Sequence, residues 1–244
     1  MFKLYLLLLI AGHVLGDFYT QTSRISQNKE EKFKWVMLHN VMYFLTFIVV
    51  SLPVISCKIL VLDLAASFLH AVIDIIKYWY IKKKGANKLT FFVDQGLHVL
   101  CLCVIACVWT IYDVPINMLQ VTARIFEVLD ISKVLLCKWI LGLLIIHKPA
   151  NIIIQKTINP YKPDEKKSEK KNDPNIGRMI GTVERTIMLM LMYMNQYSAI
   201  GLVLTAKSIA RYDKITRDEK FAEYYLLGTL ISAGIVILCV ALLF

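Results

Sequence analysis

His70, Asp74 and Lys77 follow one another at i, i+4 and i+7 inside an apolar stretch of the chain. Imidazole and carboxylate are metal ligands and proton carriers, and an ammonium steadies developing negative charge. The same residue types recur. His13, Asp17 and Gln21 run at i, i+4 and i+8, Asp94 and His98 stand four apart with Gln95 between them, and His39 occupies a further apolar stretch. Residues four apart share one helical face, about 6 Å from one another. A charged side chain at bilayer depth costs about 2.5–3.5 kcal/mol even on the lenient insertion scale, so such groups need partners or a role.

The elements that must position them are membrane helices. The chain of 244 residues is 57% hydrophobic and 19% charged, with a mean hydropathy of +0.59. A soluble domain is closer to half apolar and about a quarter charged. Apolar blocks fall near 2–17, 36–55, 59–80, 92–111, 131–147, 180–206 and 221–243, most of them near the roughly 20 residues a span requires. The expected fold is an all-α, polytopic transmembrane helical bundle of six to seven spans. Its organisation reads as a four-helix membrane core over 1–115 that carries the His/Asp motifs, then an amphipathic segment and fifth span over 116–147. A charged cytoplasmic linker over 148–178 and two C-terminal membrane helices over 179–244 complete it. The first block also resembles a secretory leader, with Val14 and Gly16 suitably placed for cleavage. His13 and Asp17 at the would-be cut favour a retained span.

The net charge of +10 sits mostly in loops, so it does not point to nucleic acid. Basic clusters at Arg24–Lys34, Lys82–Lys88 and Lys148–Arg178 are expected on the cytoplasmic side. If 180–206 spans once, the five basic residues of Lys207–Lys220 fall outside. That helix is therefore either kinked or re-entrant, or the charge rule is overridden there. The six cysteines lie in or beside apolar blocks with no CxxC pair, as small hydrophobes do. Tyr78, Trp79 and Tyr80 close a span as an interfacial aromatic belt does.

With these directions, His13, Asp17, His39, His70, Asp74, Lys77, Asp94 and His98 meet in one layer near the cytoplasmic face. Asp63 and Ser67 extend the seam of the third span deeper, and Asp63 has no assigned role. More carboxylate than ammonium in one layer calls for protonated acids or a bound cation. Imidazole with carboxylate suits zinc, manganese or iron, and bundle interiors accommodate such sites. A purely structural hydrogen-bonded network and a proton or ion pathway are the competing readings.

The combined motifs resemble those of a bacterial membrane family catalogued only as a domain of unknown function. Its pattern is His-x-x-Gly-Asp-Phe-x-x-Gln, a His in the next helix, His-x-x-x-Asp-x-x-Lys and Asp-Gln-x-x-His. Here these are His13, Gly16, Asp17, Phe18 and Gln21; His39; His70, Asp74 and Lys77; and Asp94, Gln95 and His98. Ile180–Arg185, Thr205–Tyr212 and Glu223–Ser232 resemble the second half of longer members, although Tyr212 stands where the family pattern has Phe. The resemblance implies a bacterial cytoplasmic-membrane location and no established activity.

The preferred expectation is a metal-dependent membrane enzyme that hydrolyses or transfers a lipid or lipid-linked phosphate. Its metal ligands are drawn from His13, Asp17, His70, Asp74, Asp94 and His98. His39 or a remaining carboxylate is the general base, Lys77 stabilises negative charge, and Gln21, Gln95 and Arg185 bind substrate. A cation- or proton-coupled transporter and a non-catalytic scaffold are the alternatives. Arg185, Gln196 and Lys207, spaced by eleven, are expected to share a stripe of one helix, with Glu184 beside them. Arg185 otherwise pairs with a carboxylate or snorkels to the interface, and His147 is expected at a helix end.

Overall fold

A computed structural model describes residues 2–162 and 174–244. Among these residues there are eleven α-helices and no strand. Six helices, with the short turns that extend three of them, are long and apolar enough to cross a membrane: Phe2–Tyr19, Phe33–Val54, Cys57–Lys84, Lys88–Ile111, Lys133–Tyr161 and Glu219–Leu243. The chain divides into two compact units, Met1–Leu141 and Gly142–Phe244.

The first unit is built on α1 (Phe2–Val14), α3 (Phe33–Ser51), α4 (Cys57–Lys84) and α5 (Lys88–Ile111), with the short α2 (Ser23–Asn28) between the first two. Local signals set their ends. Ser56 and Asn87 cap α4 and α5 through their side chains, the latter in a reciprocal box with Thr90. Such caps satisfy backbone N–H groups left over at a helix start. Gly85 closes α4 at φ 79°, a backbone region that suits glycine. In the ring of four, α1 packs on α3 and α5, and α4 packs on α3 and α5.

The burial pattern is that of a bundle facing lipid. Leu38, Val41, Leu45 and Val49 form an exposed stripe on α3, and Leu64, Phe68 and Ile76 one on α4. The opposite faces bury His39, His70 and Asp74. Exposed apolar stripes with ionisable groups turned inward are expected where the surroundings are hydrocarbon. An apolar cluster of Tyr5, Leu9, Phe47, Ile59, Leu62 and Ile105 fills the half of the bundle away from the histidines. Further along, α6 (Gln120–Val128) buries none of its residues, and the Leu119 N–H donates to the Pro53 carbonyl at 3.0 Å. All six cysteines are free.

The second unit departs from the expected organisation in two places. First, α7 (Lys133–Ile158), in which the boundary between the units falls, does not stop at His147; it continues through Pro149 to Ile158. His147 is thus inside a helix, and the linker does not begin at 148. Of the run read as linker, residues 163–173 lie outside the described residues. Second, the block 180–206 is not one helix. α8 (Pro174–Tyr193) ends at a break where Asn195 takes φ 58°, and α9 (Tyr197–Ile209) follows.

That break reverses the chain. The Lys207 ammonium reaches back to the Glu184 carboxylate at 2.6 Å, so α9 runs antiparallel along α8 as a helical hairpin. After α10 (Tyr212–Arg217), α11 (Glu219–Leu243) runs parallel to α8, and the Tyr193 and Phe244 rings meet at its far end, 5.1 Å apart. The basic stretch Lys207–Lys220 therefore returns to the end from which α8 starts, and the apparent conflict with the charge rule disappears. The stripe of Arg185, Gln196 and Lys207 does not form, because no continuous helix carries it.

Candidate metal centre

Asp17 arrives on an irregular turn. α1 passes into a single π-helical turn, Leu15–Tyr19, in which the Thr20 N–H donates to the Leu15 carbonyl at 2.9 Å. Widening from four to five residues per bond rotates the side chains that come after it, and such turns are frequent at functional sites. His13 and Asp17 make different hydrogen bonds. His13 Nδ1 meets the Tyr43 hydroxyl at 3.1 Å and its Nε2 lies 3.3 Å from the Gln95 carbonyl oxygen. Asp17 instead turns towards His39 and His70.

Four atoms, from α3, α4 and this turn, converge there. His39 Nε2 is 3.0 Å from Asp17 Oδ1, 3.2 Å from His70 Nε2 and 3.5 Å from Asp74 Oδ2. His70 Nε2 is 3.8 Å from Asp17 Oδ1 and 3.6 Å from Asp74 Oδ2. A tetrahedron of nitrogen and oxygen ligands about 2.0–2.1 Å from zinc has edges of about 3.3 Å. Five distances lie near that length, but Asp17 and Asp74 do not share a ligand set, so the four atoms do not close a tetrahedron. His39, His70 and Asp74 are at most 4% exposed. Two neutral imidazoles bring at most two protons to this point, too few for four groups rich in lone pairs. Asp74 Oδ2 makes no hydrogen bond at all.

Asp94 and His98 lie beside these four. Asp94 Oδ2 accepts from Lys77 at 2.7 Å and from the Gln95 amide at 3.2 Å, while its Oδ1 makes no hydrogen bond. His98 is 2% exposed, and neither ring nitrogen has a hydrogen-bond partner. Its ring lies 4.2 Å from that of His70 and 5.3 Å from that of His13. Gln95 ties the two halves, donating to Asp17 Oδ2 at 2.8 Å. Three ligand sets with atoms within 4.8 Å of one another result: Asp17, His39 and His70; His70, Asp74 and His98; and Asp17, Asp94 and His98.

The structure thus brings Asp17, His39, His70, Asp74, Asp94 and His98 together, with His13, Lys77 and Gln95 against them. His39, expected as a base, stands among the ligand atoms. His13 is turned to Tyr43 and Gln95. Gln95 orients its neighbours, and Gln21 accepts from Lys29 at 3.2 Å. Arg185 belongs to the second unit, where it is 1% exposed and bonded to the Ile146 carbonyl, Ser232, Asn151 and Thr182. It neither pairs with a carboxylate among the described residues nor snorkels. Asp63 is buried deeper in the bundle and accepts from the Ser51 hydroxyl at 3.0 Å.

Two contributors are not singled out by spacing. Lys29, in the loop after α2, reaches within 3.8 Å of Asp74. With Glu30, Lys77 and Tyr78 it lines a narrow cleft that opens onto Asp74. Nothing in its neighbourhood of charged residues marks it out. Tyr43, one turn from His39, stacks on the His70 ring at 3.6 Å and 7°. This stacking fixes the imidazole where His70 Nδ1 has no hydrogen-bond partner to do so.

Tyr43 is seated by Gly16. A Cβ at position 16 would lie 2.6 Å from Tyr43 Cδ2, and one at Gly12 2.8 Å from the Phe47 ring. Two glycines four apart let helix α3 approach, as small residues do in membrane helices. Gly16→Ala is expected to push Tyr43 off His70 and destabilise the fold by about 1–3 kcal/mol, the usual range for overpacking. Thermal unfolding in detergent checks this, with Gly96→Ala as the control, since a Cβ there meets nothing.

The family described as "Protein of unknown function (DUF3307)" matches residues 4–126, just over half of the chain. The match contains all of the converging His and Asp residues. No curated protein and no solved structure matches the chain.

Proposed function

The chain belongs to this DUF3307 family, and from that premise we propose that it is a metal-dependent enzyme of the bacterial cytoplasmic membrane. Its substrate is a lipid or lipid-linked phosphate ester, and the reaction is hydrolysis or transfer. The observation that carries the reading is the convergence of buried His and Asp atoms into three overlapping ligand sets, with Asp17, His39 and His70 at its centre. A divalent ion held there supplies a Lewis acid that acidifies water and polarises a phosphoryl oxygen.

The chain's own groups supply the rest. Asp94 lies about 9 Å and His98 about 15 Å along α5, counted at 1.5 Å per residue, and in this reading that end of the bundle faces the cytoplasmic headgroups. Lys29 and Lys77 flank the cleft and are placed to hold phosphoryl oxygens; their present partners, Asp74 and Asp94, are carboxylates that a bound cation would relieve. In hydrolysis the water oxygen bonds to phosphorus, the bond from phosphorus to the lipid oxygen breaks, and that oxygen ends with a proton from the water. Transport has less support. On α4, Asp63 lies about 10 Å from His70 at 1.5 Å per residue, and Leu62, Ala66 and Phe47 pack apolar surface around that stretch.

Elemental analysis of the purified protein tests the reading. Wild type is expected to retain zinc, manganese or iron, and His70→Ala with Asp94→Ala to lose it; wild type free of all three ends the proposal. On a lipid phosphate monoester in mixed micelles, Lys77→Gln should lower kcat/KM about 10²-fold, the usual loss for one charge-stabilising donor.

A further inference from the structure

We infer that the centre holds two divalent cations, bridged by the Asp17 carboxylate. The inference rests on the metal reading above and extends it. Asp17 is shared by two of the ligand sets, and its two oxygens face different neighbours. Oδ1 faces His39 and His70, whereas Oδ2 turns to the Gln95 amide beside Asp94.

Once His39, His70 and Asp17 Oδ1 are assigned to one ion, a second group that also uses Asp17 is left over. It consists of Asp17 Oδ2, Asp94 Oδ1 and a ring nitrogen of His98. Asp94 Oδ1 and both His98 nitrogens are buried without a hydrogen-bond partner. A buried imidazole with neither nitrogen satisfied is costly unless a ligand completes it. Lys77 and Gln95 are committed to Asp94 Oδ2, so neither supplies a donor to its other oxygen. Three groups offering lone pairs at one point select a cation.

Charge agrees. Asp17, Asp74 and Asp94 against Lys29 and Lys77 leave one net negative charge with neutral imidazoles. One divalent ion turns that into a single positive charge, and a second leaves the excess positive charge that a hydroxide and a phosphate ester would neutralise. Paired ions about 3.5–4 Å apart hold the attacking and leaving oxygens of an in-line phosphoryl displacement. The proton of the attacking water would still end on the departing lipid oxygen, and the paired charge would make that water more acidic. The substrate class this favours is a phosphoester.

The experiment uses the full chain in detergent, loaded with Mn²⁺ and freed of excess ion. Metal content and electron paramagnetic resonance are read together. Wild type is expected to bind about two ions per chain and to give the spectrum of a spin-coupled pair. Asp94→Asn with His98→Ala should drop to one ion and give the six lines of an isolated Mn²⁺, with helicity unchanged. If wild type binds one ion and shows only isolated Mn²⁺, the second site is overturned while the metal reading survives. If it binds none, both fall. Because the wild-type result is decisive by itself, a variant that fails to fold does not rescue the inference.

Discussion

Asp17→Asn is expected to empty the metal centre. The substitution keeps the size of the side chain and removes only the charge and one acceptor. Its Oδ1 lies 3.0 Å from His39 Nε2 and 3.8 Å from His70 Nε2, and its Oδ2 accepts from Gln95. An amide in place of that carboxylate turns a donor towards one of these neighbours and weakens any cation held among them. Loss of a supporting partner costs about 10–100-fold in metal affinity. Loss of a ligand shared by two clusters should exceed that range, so metal content after dialysis should fall below detection. Asp63→Asn is the matching control. Asp63 is fully buried and also a carboxylate, yet it faces only Ser51. If Asp17→Asn retains wild-type metal content, Asp17 is not a ligand, and two of the three ligand sets fall.

How much of this centre is legible in the chain depends on which rule each residue obeys. His70 and Asp74 obey simple helical spacing on α4 and share a face, as do Asp94 and His98 on α5. The convergence of the four segments follows from alternating direction alone, because helices that cross a membrane in turn bring early and late residues to the same level. Spacing does not reveal the Leu15–Tyr19 turn, since periodicity assumes an α-helix and this turn is wider. The seat of Tyr43 rests on Gly12 and Gly16, whose meaning is the closeness of a neighbouring helix. That closeness is a property of tertiary packing. The broken stripe of Arg185, Gln196 and Lys207 is the same lesson in reverse: a single left-handed residue, Asn195, ends the periodicity that joined them.

Arg185 leads to the second large effect, on stability rather than on metal. Pro149 has no N–H to give the Ile145 carbonyl, and a proline within a helix bends it and loosens the bonds of the preceding turn. Next along that turn, the Ile146 carbonyl accepts from Arg185 Nε at 2.6 Å. The other guanidinium nitrogens reach Ser232 on α11, Asn151 on α7 and Thr182 on α8. One planar fork therefore ties three helices, at 1% exposure. Arg185→Leu should leave these acceptors unpaired. Bonds to a charged group contribute about 1.5–3 kcal/mol each in water-soluble proteins and interhelical bonds in membranes less, so about 2–4 kcal/mol in total is expected. Arg185→Lys should recover little of it, because an ammonium cannot reproduce the fork. Pro149→Ala restores the missing helical bond, so the two sites should couple by about 0.5–3 kcal/mol in a double-mutant cycle of detergent unfolding. Additive losses would separate the proline from the arginine. Equal stability of the Lys and Arg proteins would mean that charge alone, and not the fork, holds these helices together.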